Sequence, residues 1–167
     1  MFTKLSHFEA SWKRESESTS KLMRALTDAS LAQAVAKDHR TLGRLAWHVT
    51  VSVGEMMRRT GLEVSGPAEN AAVPGSAAEI AQAYETSAGS LLDQVKKGWS
   101  DETLAVEDDM YGQRWKRGMT LSALIAHQTH HRGQMTVLMR QAGLEVPGVY
   151  GPARQEWAAM GMPAPAV

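Results

Sequence analysis

The chain has 167 residues, a length that favours one domain with a single core, spanning residues 1–167, over two separately stable domains. Lysine plus arginine and aspartate plus glutamate number 18 each, so the chain has no excess of positive charge to attract nucleic acid or anionic lipid, and we expect neither as a partner. Cysteine is absent, which excludes disulfides, thiolate metal ligands and a cysteine nucleophile within this chain.

The first predicted element is a long helix at the amino terminus. Apolar residues recur at helical intervals from about residue 3 to residue 26, although the polar stretch 15–20 predicts a weak middle. The first residues lack the apolar run of a secretory signal, so we expect a cytoplasmic protein. No stretch approaches the roughly 18 uninterrupted apolar residues of a membrane-spanning helix, so no membrane insertion is expected. A short second element is predicted over residues 30–35.

A stronger helix follows. It is predicted to begin after a cap at Asp38 or Thr41, to extend to about Arg59 and to end at Gly61. The next residues, 62–75, contain two glycines and two prolines and show no apolar period, which is typical of a loop. We interpret this loop as a connection within one domain.

The third long helix has a clear start signal. Ser76 and Glu79 have the spacing of a capping box, and the helical pattern continues to about Lys97, just before Gly98. The charge-rich segment 99–118 that follows lacks helical periodicity. We predict that it is irregular, as either a loop or a short hairpin.

The fourth long helix is predicted over residues 121–141, capped by Thr120 and terminated by Gly143. A turn over residues 147–152 and a short helix over residues 154–160 complete the chain. Four long helical segments without a convincing set of strands predict an all-α fold. Its architecture is a four-helix bundle with a short C-terminal helix, in which sites form from side chains that project inward from facing helices.

The histidines of the fourth helix carry the strongest functional signal. His127 and His131 are four residues apart, so they share one helix face and can both reach a single ion. The adjacent His130 points another way, towards solvent, a subunit contact or an outer-shell role. Without a metal, His127 and His131 would be a half-buried polar pair.

A third imidazole on another helix would hold an ion more tightly than two. His48 lies at the edge of the apolar stripe of the second long helix, where it would otherwise be a hydrogen-bonded boundary residue. Glu55, on nearly the same face, is a candidate acceptor behind the ligands or a fourth ligand, or else a salt-bridge partner of Arg58 or Arg59. Gln134, one turn beyond the second ligand of the fourth helix, is another candidate acceptor.

Three segments closely resemble the DinB family of the DinB/YfiT-like superfamily in order and spacing. They are residues 40–49 (RTLGRLAWHV), residues 127–135 (HQTHHRGQM) and residues 146–152 (VPGVYGP). The resemblance implies a helical bundle over nearly the whole chain, a divalent nickel or zinc ion bound by His48, His127 and His131, and a homodimer. It also implies a link to enzymes that use low-molecular-weight thiols, such as bacillithiol transferases and mycothiol-dependent maleylpyruvate isomerase.

Three neutral imidazoles leave at least one coordination position open, as in catalytic sites. An ion in such a site lowers the pKa of bound water and can hold a thiol as thiolate. Because the chain has no cysteine, the thiol would be a cosubstrate, and our first hypothesis is a metal-dependent transferase that activates a small thiol. The alternatives are a metal-dependent hydrolase and a non-catalytic metal-binding or dimerisation module. A pocket beside the ion favours an enzyme, and a sealed ion favours the module.

Two further groups of residues have alternative interpretations. The basic run at residues 114–117 is either a recognition site for an anionic substrate, such as a carboxylate-bearing thiol, or a solvated charge run. The large aromatic residues line a pocket or, more commonly, belong to the core or an interface; they are Trp47, Trp99, Tyr111, Trp115 and Tyr150.

Overall fold

The computed structural model describes residues 1–166 and is mostly helical, with one small two-stranded sheet. This confirms the prediction of a mainly helical fold. The elements are α1 (Leu5–Arg24), α2 (Leu42–Arg58), α3 (Ala77–Gly98), β1 (Glu107–Met110), β2 (Gln113–Lys116) and α4 (Arg117–Gln141). Within residues 1–166, no helix combines the length and the apolar character needed to cross a membrane.

The four long helices pack around a common apolar core. Helices α1 and α2 each contact both α3 and α4. The largest fully buried side chains come from all four helices and from β1, and they include Phe8, Trp12, Leu42, Met57, Ile80, Tyr84, Leu91, Met110, Leu121 and Leu124. Since α2 and α4 are neighbours, side chains on their facing surfaces can meet.

Two of the predicted helix starts are confirmed by their caps. The Thr41 hydroxyl accepts a hydrogen bond from the Arg44 amide at 3.2 Å, which identifies Thr41 rather than Asp38 as the cap of α2. The Ser76 hydroxyl accepts from the Glu79 amide at 3.4 Å at the start of α3. The short element predicted over residues 30–35 is a 3₁₀ turn over Asp28–Ala32.

The predicted start of α4 was wrong. Helix α4 begins at Arg117 instead of residue 121, and Thr120 is a fully buried interior residue whose hydroxyl donates to the Lys116 carbonyl at 3.5 Å. The reason is that β2 continues directly into the helix, and the Arg117 amide donates to the Val106 carbonyl at 2.9 Å. This tertiary contact overrides the local cap signal.

The charge-rich segment before α4 contains an antiparallel hairpin, the second of its two predicted alternatives. Strands β1 and β2 pair from Glu107 opposite Lys116 to Met110 opposite Gln113. The two-residue connection has positive φ at Tyr111 (59°) and Gly112 (81°), as a type I′ turn requires. Tyrosine is a rare first residue of such turns, so the sequence gives only a weak hairpin signal, and the all-α prediction lacks this sheet.

The chain ends in two 3₁₀ turns, over Arg154–Glu156 and Ala158–Met160, where one short helix was predicted. The Glu156 carboxylate accepts hydrogen bonds from the Gly148 amide at 3.0 Å and the Ala153 amide at 2.8 Å. These bonds fold residues 148–156 onto themselves.

Candidate metal centre

The three predicted histidines lie together between α2 and α4. His127 and His131 are one turn apart on α4, and His48 reaches them from α2. The Nε2 atom of His127 lies 3.1 Å from the Nε2 of His48 and 3.1 Å from the Nε2 of His131. The structure therefore brings one ligand atom from each ring to a common point, and such a group can hold a metal ion.

Hydrogen bonding sets the orientation of His131. Its Nδ1 lies 2.7 Å from the Gln134 side-chain oxygen, which can only accept. The proton of the neutral His131 ring is therefore on Nδ1, and the lone pair of Nε2 points at the other two histidines. The structure thus gives Gln134 the acceptor role expected from its sequence position. His130 is exposed, and its ring centroid lies 4.8 Å from that of His131.

The surroundings keep the three rings neutral. Burial, followed by the charges of the other two histidines and of Arg40 and Arg44, lowers the pKa of His48 to about 4. Burial and the neighbouring histidines likewise lower the pKa of His127 to about 4, and burial lowers the pKa of His131. Neutral imidazole is the form that binds metal, so the site is in its binding form at neutral pH.

Two of the three separations between the Nε2 atoms fit a divalent ion. Nitrogen–zinc bonds are about 2.0–2.1 Å long, so two nitrogens on one ion lie about 2.9–3.4 Å apart for octahedral to tetrahedral angles. Both measured separations of 3.1 Å fall within this range. Hydrogen bonds alone explain the cluster poorly: because His131 Nε2 carries no proton, a single Nε2–H of His127 would have to serve both neighbours. Its other ring nitrogen, Nδ1, is buried without a hydrogen-bond partner among residues 1–166.

A cavity of about 830 Å³ opens beside the cluster. Its walls come from α2, α4 and the hairpin, and they include the side chains of His48 and His127. The other lining residues are Arg40, Arg44, Val51, Ser52, Glu55, Met56, Arg59, Glu69, Tyr111, Trp115 and Ala123. A second cavity, of about 720 Å³, lies on the side of His131 and Gln134. The three histidines are therefore accessible to a small molecule.

Comparison with known proteins places the chain in a family. The sequence model of the DinB family matches residues 1–165. The chain belongs to the DinB family. It is 47% identical over 165 residues to the protein YrdA of Bacillus subtilis (strain 168), which is described as uncharacterized, and the match covers 99% of each chain.

Two solved structures of DinB-like proteins are similar to this one. A DinB-like protein from Bacillus cereus ATCC 10987 is 43% identical with a TM-score of 0.87, and the match covers 90% of this chain and 100% of that one. The DinB-like protein YjoA from Bacillus subtilis has a TM-score of 0.67 over 86% of this chain and 96% of that one. YjoA is only 19% identical, so it supports the DinB fold alone.

Glu55 is engaged away from the histidine cluster of this DinB protein. One carboxylate oxygen accepts from Arg59 at 2.9 Å, and the other accepts from the Tyr111 hydroxyl at 2.7 Å. The Arg59 guanidinium also stacks over the Tyr111 ring at 4.4 Å. Of the alternatives for Glu55, the salt bridge with Arg59 is therefore observed, and the residue joins α2 to the hairpin tip along one wall of the cavity.

The predicted anion site at residues 114–117 is already occupied by carboxylates of the same hairpin. Arg117 donates to both carboxylate oxygens of Asp108, at 2.9 and 3.1 Å. Arg114 lies 3.9 Å from the Glu107 carboxylate and donates to the Glu107 carbonyl at 2.8 Å. These contacts favour the alternative of a solvated charge run.

The aromatic residues divide between the core, the cavity and a buried network. Trp47 and Trp99 are buried, and the Trp47 indole donates to the Ala71 carbonyl at 2.9 Å. Tyr111 and Trp115 line the cavity beside the histidines. Tyr150 is 66% exposed, yet its hydroxyl reaches into the protein and donates to the Glu15 carboxylate at 2.6 Å.

Sequence reasoning missed a buried ion pair next to the histidine cluster. Arg132 of α4 donates to the Glu15 carboxylate and to the Tyr150 hydroxyl, and both charged side chains are buried. Thr19 and Gln128 continue this network through a 3.2 Å hydrogen bond. Arg132 belongs to the same motif as the histidines. The polar stretch of α1 was the available signal, and it marks a buried polar surface where a weak middle of the helix was predicted.

Proposed function

We propose that this protein binds one divalent transition-metal ion, nickel or zinc, through His48, His127 and His131, and uses it in a transfer reaction that activates a low-molecular-weight thiol. The observation that carries the proposal is the convergence of three neutral imidazole nitrogens at the wall of an open cavity. We take the four long helices as the predicted four-helix bundle, in which two facing helices, α2 and α4, supply the three ligands.

The ligand set favours an exchangeable position over a closed structural site. Structural zinc sites use four protein ligands, whereas catalytic sites use three and leave room for water or substrate. Within residues 1–166, the potential ligand group consists of the three histidines, and the nearby Glu55 carboxylate is held by Arg59 and Tyr111. A divalent ion bound there would supply Lewis acidity and lower the pKa of a coordinated thiol towards neutrality.

The chain's own residues position the ligands and shape the cavity. Gln134 holds the His131 ring so that Nε2 faces the cluster. Apolar side chains, including Val51 and Met56, line part of the cavity and reduce the water around a bound thiol. The chain contains no cysteine, so the reacting sulfur comes from a cosubstrate. In the transfer, that sulfur bonds to an electrophilic carbon, its proton passes to solvent, and the leaving group departs with its electron pair.

Metal content tests the first half of the proposal. We expect elemental analysis of protein purified without a histidine tag to find close to one nickel or zinc ion per chain. Replacement of His48, His127 or His131 by alanine should remove most of it. The matched control is His130→Ala, because this exposed neighbour lies outside the ligand cluster. Unchanged metal content in a variant that lacks all three ligands would refute the metal site.

Turnover tests the second half. We expect the reconstituted protein to accelerate reaction of small thiols with an aryl chloride reporter, and chelation or His48→Ala to abolish the acceleration. Metal-dependent cleavage of esters or amides without a thiol would instead identify the metal-dependent hydrolase. Loss of thermal stability on chelation, with no turnover of either kind, would support the non-catalytic metal-binding or dimerisation module.

A further inference from the structure

Two arginines at the cavity beside the metal centre have no carboxylate partner. Arg40 and Arg44 both line the 830 Å³ cavity, and neither forms an ion pair within residues 1–166. By contrast, Arg59 in the same cavity is paired with Glu55 at 2.9 Å. The two arginines of the lining without an ion pair therefore lie in or just before the first turn of α2, and Arg40 also borders the second cavity.

This charge is a local feature of the cavity. The whole chain carries equal numbers of basic and acidic residues, so its overall charge does not predict a basic cleft. Besides Glu55, Glu69 is the other acidic residue of the lining. Its negative charge acts on Arg59, which follows the last turn of α2, whereas Arg40 and Arg44 lie at the start of that helix. An anion that enters the cavity would therefore be attracted towards Arg40 and Arg44.

Helix geometry sets the relation between these arginines and the histidines. Arg44 and His48 are four residues apart on α2, so they lie on one face, separated by about 6 Å along the helix axis. Arg40 immediately precedes the cap residue Thr41, where the amides at the start of α2 add positive potential. A small molecule about one helical turn long can thus contact both groups at once.

We infer that Arg40 and Arg44 bind a carboxylate or phosphate group of the small molecule whose reacting end faces the three histidines. The inference rests on the proposed function and specifies its substrate class as a thiol that carries an anionic group about one helical turn from its sulfur. Guanidinium groups suit this role because they bind such oxygens through paired hydrogen bonds.

Two matched thiols provide the test. Mercaptobutyrate carries a thiol and a carboxylate at opposite ends of a short chain, and in mercaptobutanol a hydroxymethyl group replaces the carboxylate. Protein loaded with cobalt(II) reports thiol binding through its visible spectrum. We expect the dissociation constant of mercaptobutyrate to be about tenfold lower than that of mercaptobutanol, which corresponds to about 1.4 kcal/mol.

Variants assign that preference to the two arginines. The double variant Arg40→Gln/Arg44→Gln should bind the two thiols about equally, with the affinity for mercaptobutanol unchanged. Arg140→Gln is the control, because it removes an exposed arginine outside both cavities and without an ion pair among residues 1–166. Equal affinities in the wild type, or a preference that survives in the double variant, would overturn the inference.

Butyrate, which has no thiol, separates this inference from the proposed function. We expect calorimetry to show weaker binding of butyrate to the double variant than to the wild type, with zinc bound to both proteins. If neither thiol changes the cobalt spectrum but butyrate still depends on the arginines, thiol activation fails and the anion site stands. If both thiols bind and butyrate binding is insensitive to the arginines, the anion site fails and thiol activation stands.

Discussion

Gln134 controls which nitrogen of His131 faces the other ligands, although it does not itself belong to the ligand group. We expect Gln134→Leu to lower metal affinity about 10–100-fold, because the lost acceptor frees the ring to rotate or to change tautomer. Gln134→Glu keeps an acceptor oxygen at this position and should retain most of the affinity. Competition with a chromogenic chelator measures both values. Equal losses in the two variants would show that the hydrogen bond is irrelevant.

Glu15 is a carboxylate whose ionisation stabilises the folded state. Burial opposes its ionisation, but hydrogen bonds from Tyr150 and Arg132 outweigh burial and hold the pKa of Glu15 below its usual 4.5. Stability from this group is therefore fully present above pH 4.5 and is lost as the pH falls through the lower folded-state pKa.

Replacement of Glu15 by glutamine tests this titration. Near neutral pH, Glu15→Gln should lower the free energy of unfolding by about 3–5 kcal/mol, because it leaves the Arg132 guanidinium buried without a counter-charge. The difference from wild type should shrink as the pH falls below 4.5, through the lowered folded-state pKa of Glu15. Urea denaturation at several pH values measures it. Glu17→Gln, an exposed change on the same helix, should have a much smaller effect, and a difference independent of pH would contradict this account of Glu15.

The sequence predicted the histidine cluster well and the Glu15–Arg132 ion pair not at all. The three histidines could be anticipated because helical spacing places His127 and His131 on one face, and because a rim histidine on a second helix can meet them. The pairing of Glu15 with Arg132 joins residues 117 positions apart, and no local pattern specifies it. Glutamate and arginine also form ion pairs at protein surfaces, so these residue types alone do not predict a buried pair. Only the packing of α1 against α4 shows that this pair is buried.

At the scale of elements, two of the helix caps were predictable from the sequence, whereas the contacts between distant segments that set the start of α4 were not. Thr41 and Ser76 bond to their own helices, so their signals are local. The early start of α4 depends on a backbone hydrogen bond from Arg117 to Val106 across the hairpin. The hairpin itself depends on a turn whose first residue, Tyr111, is anchored by Glu55 of α2. Such contacts join segments that are distant in sequence, which single-sequence patterns do not reveal.

Hydrogen bonds of a single residue, Tyr150, hold the segment after α4 against the helices. The Tyr150 hydroxyl bonds to Glu15 of α1 and to Arg132 and Thr129 of α4. We expect Tyr150→Phe to destabilise the fold by about 1–3 kcal/mol, since hydrogen bonds to charged groups are lost, and to speed proteolysis after residue 144. Tyr111→Phe, which removes a hydroxyl bonded to Glu55 instead, is the comparison variant and should leave the rate of proteolysis after residue 144 unchanged. Equal protease resistance of wild type and Tyr150→Phe would exclude this anchoring role.

At the scale of the molecule, metal binding should stabilise the whole fold because the ligands come from two helices. An ion present at about 100 times its dissociation constant adds about 2.7 kcal/mol to the free energy of unfolding. We therefore expect zinc to raise the melting temperature of the wild type and of His130→Ala, and to have little effect on His48→Ala. A scanning calorimeter measures these shifts. A zinc effect of equal size in His48→Ala would place the ion elsewhere.

The oligomeric state remains a prediction from the family resemblance. We expect a homodimer, so light scattering should give twice the 18.2 kDa of one chain. Val35 and Val137 are more than half exposed and line the same cavity, which makes their surface a candidate for the subunit contact. Val137→Asp should then produce monomers, whereas Val106→Asp, at another exposed apolar position, should not. A monomeric wild type would refute the prediction.

His131 and Arg132 are consecutive, so a single peptide unit separates the metal centre from the buried ion pair. His131 belongs to the histidine cluster that includes His48 of α2, and Arg132 binds Glu15 of α1. A shift of α4 that relieves one of these attachments necessarily displaces the other. We therefore expect substitutions on α1, which contributes no histidine to the cluster, to alter the geometry of the three histidines, so that the metal preference of the proposed site depends on the packing of a helix outside it.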